Sequence, residues 1–422
     1  MAGASIYIAG VGMTKFGKFL DKSLKQLGAE AVRECLQDAG LKPSDIDAAY
    51  VGNAVAGLIT GQECIRGQVV LRECDFGEIP IFNVENACAS AASAFHLGWQ
   101  AIAAGQAECV LALGMEKLTH PDKSLSLRAF NAAVDVELVA RIQEAMKPPE
   151  PPESPSDSTK NKKESPENGG ASGSQRSMFM DIYAAAIRMH MKTYGTTQEQ
   201  MAWVASKNHH HGALNPRAQY REEVSVEEVL ASRVIAWPLT LLMCAPIGDG
   251  AAAAILVSEE RAKAMGIIGR TPRVAASVVR SGSHPAHGQP SAERRAAKAA
   301  YEMAGIDPLD VDVAEVHDAT APAEIMAYED LGFCAEGEGG KLCDERATAL
   351  GGRLPVNTSG GLVSKGHPVG ATGIAQICEL TWQLRGEAGQ RQVEGAKVGL
   401  AQNGGGFLGN DAAAQAVHIL VR

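Results

Sequence analysis

The sequence is poor in aromatic residues, which make up 5% of its 422 positions, and it holds no apolar run of 18 residues or more. A helix that spans a membrane needs such a run, so we expect no membrane association. Basic residues are fewer than acidic ones: the sequence has 39 Lys and Arg and 49 Asp and Glu, which gives a net charge of −10. Proteins that bind nucleic acids usually present a basic surface, so we expect no nucleic-acid partner.

Paired cysteines are missing as well. The nine cysteines are spread along the chain without a CxxC spacing. This distribution is unlike a zinc site or a disulfide framework and is typical of individual thiols in a reducing compartment. The first ten residues carry no basic segment before their apolar stretch, so we interpret them as a buried strand and not as a secretory signal. We therefore expect a cytoplasmic protein without a metal site.

The residues that are present predict an α/β protein. Hydrophobic residues at 45% and charged residues at 21% are typical of a globular chain, and apolar runs alternate with amphipathic stretches over most of its length. Residues 25–40 place their apolar side chains on one helical face and end at Gly40, a common helix stop. The continuous apolar runs 109–114 and 251–257 predict strands that are covered on both faces.

An internal repeat is the strongest architectural signal. Residues 39–54 align without gaps on residues 304–319, and half of the aligned positions are identical. We interpret the repeat as two copies of one α/β unit. The first copy comprises residues 1–118 and 240–265, and the second comprises residues 271–422.

Residues 119–239 are predicted to form a loop or lid domain inserted into the first copy. Within them, residues 147–176 are rich in Pro, Ser, Glu, Lys and Gly and almost free of apolar side chains. Such a composition buries too little surface to offset the entropy of ordering, so we expect a flexible surface loop there. Residues 177–240 return to a helical pattern.

Cys88, in the first copy, lies in a sequence that suits a nucleophile. A short apolar strand leads into Asn-Ala-Cys88-Ala-Ser, after which small residues open a helix that continues through Ala103. A thiol at a helix N-terminus faces unpaired N–H groups and the positive end of the helix dipole, which favours the thiolate. The arrangement is similar to the nucleophile elbow of hydrolases, with Cys in place of Ser. A buried structural cysteine is the alternative.

Two histidines in the second copy are candidates for acid–base chemistry. His367 lies between a glycine and a proline in a glycine-rich loop, which suits a base or a hydrogen-bond donor to a carbonyl. His317 follows the repeated strand, and a later strand ends in Gly404-Gly-Gly, whose N–H groups could face a site. The alternatives are a phosphate-binding loop or a plain turn for the glycine-rich segment, and a locally bonded histidine at the strand end.

Taken in order, Asn-Ala-Cys88-Ala-Ser, His317-Asp, Gly-His367-Pro and Gly404-Gly-Gly resemble the motifs of the thiolases. The similarity is greatest to the sterol-carrier-type branch, which has His-Asp where other thiolases have Asn-Glu. The resemblance covers nearly the whole chain apart from residues 147–176. It implies the thiolase fold, a duplicated five-layered αβαβα unit with an inserted loop domain, and it implies a dimer.

The same resemblance implies a thiolase-type acyltransferase that cleaves or forms a β-ketoacyl-CoA with CoA through a Cys88 acyl-enzyme. His367 would take the thiol proton and, with His317, hydrogen-bond the thioester oxygen of the departing CoA enolate. The N–H groups of Cys88 and Gly404 would form the oxyanion hole. CoA is then a co-substrate, no cofactor is bound permanently and no metal takes part.

One departure from the family pattern concerns the second cysteine, which thiolases use as an acid or base. Gln402 and Ala319 stand at the two places where this cysteine occurs. Neither an amide nor a methyl group can exchange a proton with the α-carbon of the substrate. A carboxylate, a tyrosine, another cysteine such as Cys334 or Cys343, or water are the remaining candidates.

Three functions are therefore open. The first is a thiolase or related acyltransferase that keeps the Cys88 thioester and uses another proton carrier. The second is a carbon–carbon lyase of the same superfamily, such as a retro-aldolase acting on a CoA ester, which needs no acyl-enzyme. The third is a non-catalytic subunit, and a small partner with a zinc ribbon and an OB fold is compatible with all three.

The run His209–His211 suggests a metal site, but adjacent helical positions point apart, so we expect a structural role.

Overall fold

The computed structural model describes residues 5–145, 176–284 and 287–422. The predicted flexible loop 147–176 lies outside the described residues except for its last member, Arg176. No helix in the described part of the chain is long and apolar enough to cross a bilayer.

The strands are β1 (Ile6–Met13), β2 (Ala48–Gly52), β3 (Ile81–Val84), β4 (Cys109–Glu116), β5 (Val234–Ala236), β6 (Leu239–Thr240), β7 (Gly250–Ser258), β8 (Arg273–Ser281), β9 (Val313–Glu315), β10 (Val398–Phe407) and β11 (Ala412–Val421). The helices are α1 (Leu24–Ala39), α2 (Ala56–Thr60), α3 (Arg66–Leu71), α4 (Ser90–Ala103), α5 (Lys123–Ala129), α6 (Val136–Ala145), α7 (Met178–Tyr194), α8 (Gln198–Ala213), α9 (Val226–Ala231), α10 (Glu259–Met265), α11 (Ala292–Ala304), α12 (Ala321–Asp330), α13 (Gly339–Asp344) and α14 (Thr372–Arg385).

Nine strands form one sheet in the order β3-β2-β4-β7-β1-β8-β11-β10-β9, while β5 and β6 pair separately. β1 meets β8 through the residue pair Tyr7 and Arg273, so the sheet consists of two halves joined at one corner. The runs β2-β4-β7-β1 and β9-β10-β11-β8 have the same topology, a parallel pair followed by two antiparallel pairs. The duplicated unit that the repeat predicts is therefore present.

The repeated sequence forms the same local structure twice. α1 and α11 are each followed by a glycine with a positive φ, 65° at Gly40 and 68° at Gly305, and these residues close the helices. Glycine is suited to this left-handed conformation because it has no Cβ. A short 3₁₀ helix that begins with proline, Pro43–Asp45 or Pro308–Asp310, then leads towards β2 or β9.

Helices α4 and α14 pack against each other between the two halves of the sheet. Their buried side chains, among them Phe95 and Ile374, share one core with residues of β1, β4 and β10. α1 covers the outer face of the first half and α11 covers that of the second. These layers confirm the predicted αβαβα arrangement.

The chain between β4 and β7 contributes helices α5 to α9 and the β5–β6 pair. α7 packs against α12 and β5, and α8 packs against α12 and the segment Gly361–Lys365. Because residues of α7, α8 and β5 also line the cavity described next, the inserted part of the sequence forms one wall of the candidate site.

Candidate active site

Cys88 lies on a tight turn between β3 and α4. Ala87 has a positive φ of 49°, and the Ser90 hydroxyl accepts a hydrogen bond from the Asn86 N–H at 2.9 Å. The backbone of Gly405 passes directly behind this turn, since a Cβ at Gly405 would lie 2.2 Å from the Asn86 carbonyl oxygen. Small residues are therefore needed both in the Cys88 turn and in the Gly405 segment, as the sequence predicts for an elbow. Helix α4 begins at Ser90 and runs to Ala103 as expected.

His367 is held in one orientation and one tautomer by Thr372 at the start of α14. The His367 Nδ1 lies 2.7 Å from the Thr372 Oγ1, and this hydroxyl lies 3.2 Å from the Pro368 carbonyl oxygen, to which it donates. A hydroxyl has one proton to donate, so Thr372 accepts the second hydrogen bond from the His367 Nδ1–H. The Nε2 of His367 then carries a free lone pair.

His317 has the opposite tautomer. The side-chain amide nitrogen of Asn403 lies 3.0 Å from the His317 Nδ1 and donates to it. The backbone N–H of His317 donates to the Oε1 of Gln402 at 2.8 Å. Because Nδ1 accepts a hydrogen bond, the proton of the neutral ring is on Nε2. His317 therefore presents a donor where His367 presents an acceptor.

The structure brings the three predicted side chains together. The Cys88 sulfur and one ring nitrogen each of His317 and His367 all lie within 4.8 Å of one another. The two imidazole rings meet edge to face, with centroids 5.0 Å apart and planes at 83°. All three side chains line one cavity of about 570 Å³. A thiol, a proton acceptor and a hydrogen-bond donor thus face the same space.

Burial keeps these groups neutral. It raises the pKa of the Cys88 thiol to about 12, and the charge of Glu116 adds to the effect. Burial also lowers the pKa of His317 to about 4, and burial together with His317 and Lys365 lowers that of His367 well below its usual range. Desolvation thus opposes the thiolate that the sequence led us to expect at the start of α4.

Two backbone amides lie against the Cys88 sulfur, its own and that of Gly406, and both lower the pKa of the thiol in opposition to burial. Gly404, which the sequence suggested for this position, lines the same cavity two residues earlier. Gly406 has a positive φ of 66°. The sequence motif of three glycines contains both positions, and the spacing alone does not indicate which N–H reaches the sulfur.

Family models cover nearly the whole chain. A model described as the thiolase N-terminal domain matches residues 6–260, and one described as thiolase C-terminal domain-like matches residues 280–422. This chain belongs to the thiolase family. The predicted resemblance and fold are thereby confirmed.

The relatives of this thiolase carry different names. An acetyl-CoA acetyltransferase of Methanothermobacter thermautotrophicus is 40% identical over 99% of this chain and 99% of that protein. Human sterol carrier protein 2 is 38% identical over 94% of this chain and 69% of that protein. The benzoylsuccinyl-CoA thiolase subunit BbsB of Thauera aromatica is 36% identical over 92% of this chain and 91% of that subunit.

Solved structures share the fold of this thiolase. The Ltp2-ChsH2(DUF35) aldolase matches 99% of this chain and 98% of that chain, with a TM-score of 0.73 at 24% identity. Human mitochondrial 3-ketoacyl-CoA thiolase in complex with CoA matches with a TM-score of 0.68 at 17% identity, over 99% of this chain and 98% of that chain. At these identities the likeness concerns the fold alone.

The two positions of the usual second cysteine are occupied by groups that carry no exchangeable acid. The Oε1 of Gln402 accepts from the His317 N–H, and its Nε2 donates to the Oε1 of Gln415 at 2.9 Å. Ala319 lines the cavity with its methyl group, and neither Cys334 nor Cys343 is among the lining residues. None of these four side chains therefore offers an acid or base to the cavity.

Two histidines of the run on α8 bond to different parts of the protein, while the third, His209, lines the cavity. His210 is exposed and pairs with Glu223, whereas the His211 Nδ1 lies 3.0 Å from the Asn357 carbonyl oxygen and its Nε2 accepts from the Leu350 N–H. The rings point apart, as the helical spacing predicts. Among the described residues, the group of side chains with metal-ligand spacing is instead the Cys88, His317 and His367 cluster itself.

Buried carboxylates fix the loops that carry the two histidines. Asp318 accepts the Leu362 N–H at 2.6 Å and thereby joins the His317 segment to the loop that precedes His367. Glu116, at the end of β4, accepts the Gly370 N–H at 3.1 Å. These contacts hold the second histidine loop against both halves of the thiolase.

Proposed function

We propose that this thiolase cleaves or forms a β-ketoacyl-CoA with CoA through an acyl thioester on Cys88. The observation that carries the proposal is the juxtaposition of a neutral thiol with two neutral imidazoles of opposite tautomer, all within 4.8 Å. A buried thiol of raised pKa needs an adjacent base to become a nucleophile. A carbonyl oxygen that gains charge needs a donor, and the site offers both.

In the proposed cleavage, the Nε2 of His367 takes the thiol proton while the Cys88 sulfur adds to the β-keto carbon. The backbone N–H groups of Cys88 and of the glycine segment, Gly404 and Gly406, would stabilise the tetrahedral oxyanion. The Cα–Cβ bond of the substrate then breaks, and its electrons pass to the thioester oxygen of the leaving acyl-CoA. His317 Nε2–H, together with the protonated His367, would hydrogen-bond that oxygen.

The cavity fits an acyl chain more readily than a charged group. Its walls are largely apolar and include Phe130, Phe179, Ile182 and Met326 from several different elements. Removing apolar acyl surface from water would contribute to binding. We propose CoA as co-substrate, without a permanently bound cofactor or a resident metal, because the Cys88 sulfur has to be free to attack.

A dimer is proposed from the exposed edge of the sheet. β3 is an edge strand, and its Phe82 is 49% exposed while stacking on Tyr50 at 5.1 Å. An edge strand with an exposed aromatic side chain is suited to pairing with a second copy of the chain.

A small zinc-ribbon and OB-fold partner is a further proposal. It is prompted by the fold neighbour Ltp2-ChsH2(DUF35) aldolase, whose name includes a DUF35 component.

The cytoplasm is proposed as the compartment. All nine cysteines are free thiols in the structure. This state is typical of proteins kept in reducing surroundings.

Mass spectrometry of the intact protein tests the proposed function. The wild type and Cys88→Ala would each be incubated with short, branched and aromatic β-ketoacyl-CoAs. We expect an acyl adduct on the wild type that is absent from the variant, and its mass would identify the acyl group. Substrate cleavage without any adduct would overturn the acyl-enzyme and favour a carbon–carbon lyase, whereas no turnover at all would favour a non-catalytic subunit or a missing partner.

A further inference from the structure

The proposed cleavage leaves one proton without a source. When the Cα–Cβ bond breaks, the α-carbon of the leaving acyl-CoA needs a proton, and in the reverse direction the same carbon has to lose one. Gln402 and Ala319 cannot exchange this proton. The carrier has to be a protic side chain that faces the cavity, lies near Cys88 and is not already committed to another partner.

Tyr183 meets these three conditions. It lies on α7 and lines the cavity together with Cys88, His317 and His367. Its ring packs beside Ala184 and Leu239. Among the hydrogen bonds of the described residues, none involves the Tyr183 hydroxyl. A partly buried phenol without a protein partner is available to a bound substrate.

Burial sets the protonation state of Tyr183. It raises the pKa of the hydroxyl well above the usual range. The Tyr183 hydroxyl is therefore protonated in the resting site, which is the form that a proton donor requires.

Other protic groups in the cavity are engaged or remote. The Cys244 thiol donates to the Thr240 carbonyl oxygen at 3.3 Å. Tyr220 also lines the cavity, but it lines a second pocket beside Phe16 and Phe19 as well, so it lies at the margin of the cavity. Of the cavity-lining groups, Cys244 and Tyr220 are thus weaker candidates than Tyr183.

Glu293 is separated from the histidines by two amide side chains. The Nε2 of Gln415 lies 3.4 Å from the Glu293 Oε2, and the Oε1 of Gln415 accepts from Gln402, which holds the His317 N–H. Glu293 itself lines the cavity, however, and burial raises the pKa of its carboxyl well above the usual range. Loss of α-hydrogen exchange in Glu293→Gln but not in Tyr183→Phe would therefore assign the proton to Glu293 and overturn the role of Tyr183.

We propose that Tyr183 is the catalytic acid and base at the substrate α-carbon, in the role for which other thiolases use a second cysteine. The inference rests on the proposed function. In cleavage, the electron pair of the enolate forms the new C–H bond with the phenolic proton, and Tyr183 becomes a tyrosinate. The tyrosinate regains its proton from the thiol of the incoming CoA, whose thiolate then takes the acyl group from Cys88.

Two exchange reactions separate this role from the chemistry of Cys88. Exchange of the acetyl group between acetyl-CoA and isotopically labelled CoA requires the Cys88 thioester but no change at the α-carbon. Exchange of the acetyl-CoA α-hydrogens for deuterium in D₂O requires the proton carrier. Both are measured by mass spectrometry, alongside the rate of β-ketoacyl-CoA cleavage. The variants are Tyr183→Phe and, as a matched control on the same helix, Tyr194→Phe, whose exposed hydroxyl donates to Glu336 at 2.5 Å.

We expect Tyr183→Phe to retain CoA exchange and to lose α-hydrogen exchange and cleavage by roughly 10²- to 10⁴-fold, the usual contribution of a general acid or base. Tyr194→Phe should resemble the wild type in all three reactions. Retention of α-hydrogen exchange in Tyr183→Phe would overturn the proposal, and so would an equal loss of both exchanges in a variant with the wild-type melting temperature. A wild type that lacks CoA exchange, in contrast, would contradict the proposed acyl-enzyme itself.

Discussion

The imidazole of His317 meets that of His367 edge to face at 5.0 Å, yet the two rings have opposite hydrogen-bonding roles. Thr372 accepts the Nδ1–H of His367, whereas Asn403 donates to the Nδ1 of His317. One Nε2 is thus a base and the other a donor, although both residues are neutral histidines in the same cavity. The hydrogen-bond partners Thr372 and Asn403, and not the distances from Cys88, therefore determine which histidine accepts a proton and which donates a hydrogen bond.

The first prediction concerns this division. His367→Ala should lower CoA exchange with acetyl-CoA by roughly 10²- to 10⁴-fold, because the Cys88 proton then has no acceptor. His317→Ala should depress β-ketoacyl-CoA cleavage more than CoA exchange, since its donor acts on the developing enolate. Steady-state rates of both reactions provide the measurement, and equal losses in the two variants would contradict the assignment of roles.

The second prediction concerns the reactivity of Cys88 in the free enzyme. Because its pKa is raised to about 12, the thiolate fraction should be small at pH 7 and should rise about tenfold per pH unit up to pH 9. Iodoacetamide should therefore label Cys88 slowly at neutral pH and faster as the pH rises, as followed by peptide mass spectrometry. Cys88→Ala identifies the labelled peptide. A rate that is already constant between pH 7 and 9 would show that a thiolate is present and that burial does not control this site.

The third prediction concerns metal ions. The Cys88 sulfur and two histidine nitrogens lie close enough together to bind Zn²⁺, a metal that prefers these ligands. Added Zn²⁺ should inhibit the enzyme reversibly, and EDTA should restore the rate. Treatment of the purified enzyme with EDTA alone should leave cleavage unchanged. Loss of activity on chelation, with recovery on adding zinc, would refute the metal-free mechanism.

The fourth prediction concerns the close approach of Gly405 to the nucleophile turn. A Cβ there would lie 2.2 Å from the Asn86 carbonyl oxygen and 2.5 Å from the Ala89 nitrogen, both backbone atoms. Gly405→Ala should cost about 1–3 kcal/mol of the free energy of unfolding, as overpacking does, and should displace Cys88 from its amides. Gly77→Ala is the control, since no atom lies within 4 Å of its Cβ position. Chemical denaturation and cleavage rates measure both effects, and a fully active Gly405→Ala would contradict the account.

The fifth prediction concerns acid stability. Burial lowers the pKa of His211 and His418 to about 3 and, with neighbouring charges, that of His367 well below its usual range. Such residues bind protons in the unfolded chain near pH 6.5 but not in the folded one. Their stabilising contribution is therefore complete above pH 6.5 and is lost as the pH falls, by up to about 1.4 kcal/mol per pH unit for each residue.

The measurement is the free energy of unfolding in urea at several pH values between 7 and 4. His211→Gln should show a shallower decline with falling pH than the wild type. His210→Gln, an exposed position on the same helix, should keep the wild-type slope. Identical slopes in all three proteins would show that the His211 ring is not the source of the acid sensitivity.

The fold was largely predictable from sequence because its signals are local or repeated. The matching segments 39–54 and 304–319 share their helix stop, proline and strand, so each predicts the same local structure in its copy of the unit. The bounds of α4 follow from the small residues after Cys88. The division into residues 1–118 with 240–265, 119–239 and 271–422 stays a prediction.

The electrostatics of the site could not be predicted in the same way. The pKa of Cys88 depends on how much protein encloses the thiol, and the enclosing residues come from β10, α7 and the segment after β6, far away in sequence. Local reasoning detects the helix dipole but not this desolvation. For the same reason Tyr183 carries no motif: its importance depends on where α7 packs, and nothing in its neighbouring residues indicates the cavity.

The central layer of α4 and α14 has a consequence for how activity reports on folding. Cys88 precedes α4 in one copy of the unit, and His367 precedes α14 in the other, so the reacting atoms meet only when both copies have docked through these helices. A partly folded chain with a single intact copy keeps either the Cys88 thiol or the two histidines in place, and we expect no turnover from it. Enzymatic rate thus measures the population in which the two copies have assembled, and it should vanish at the first cooperative step of unfolding, even if one copy keeps its secondary structure beyond that step.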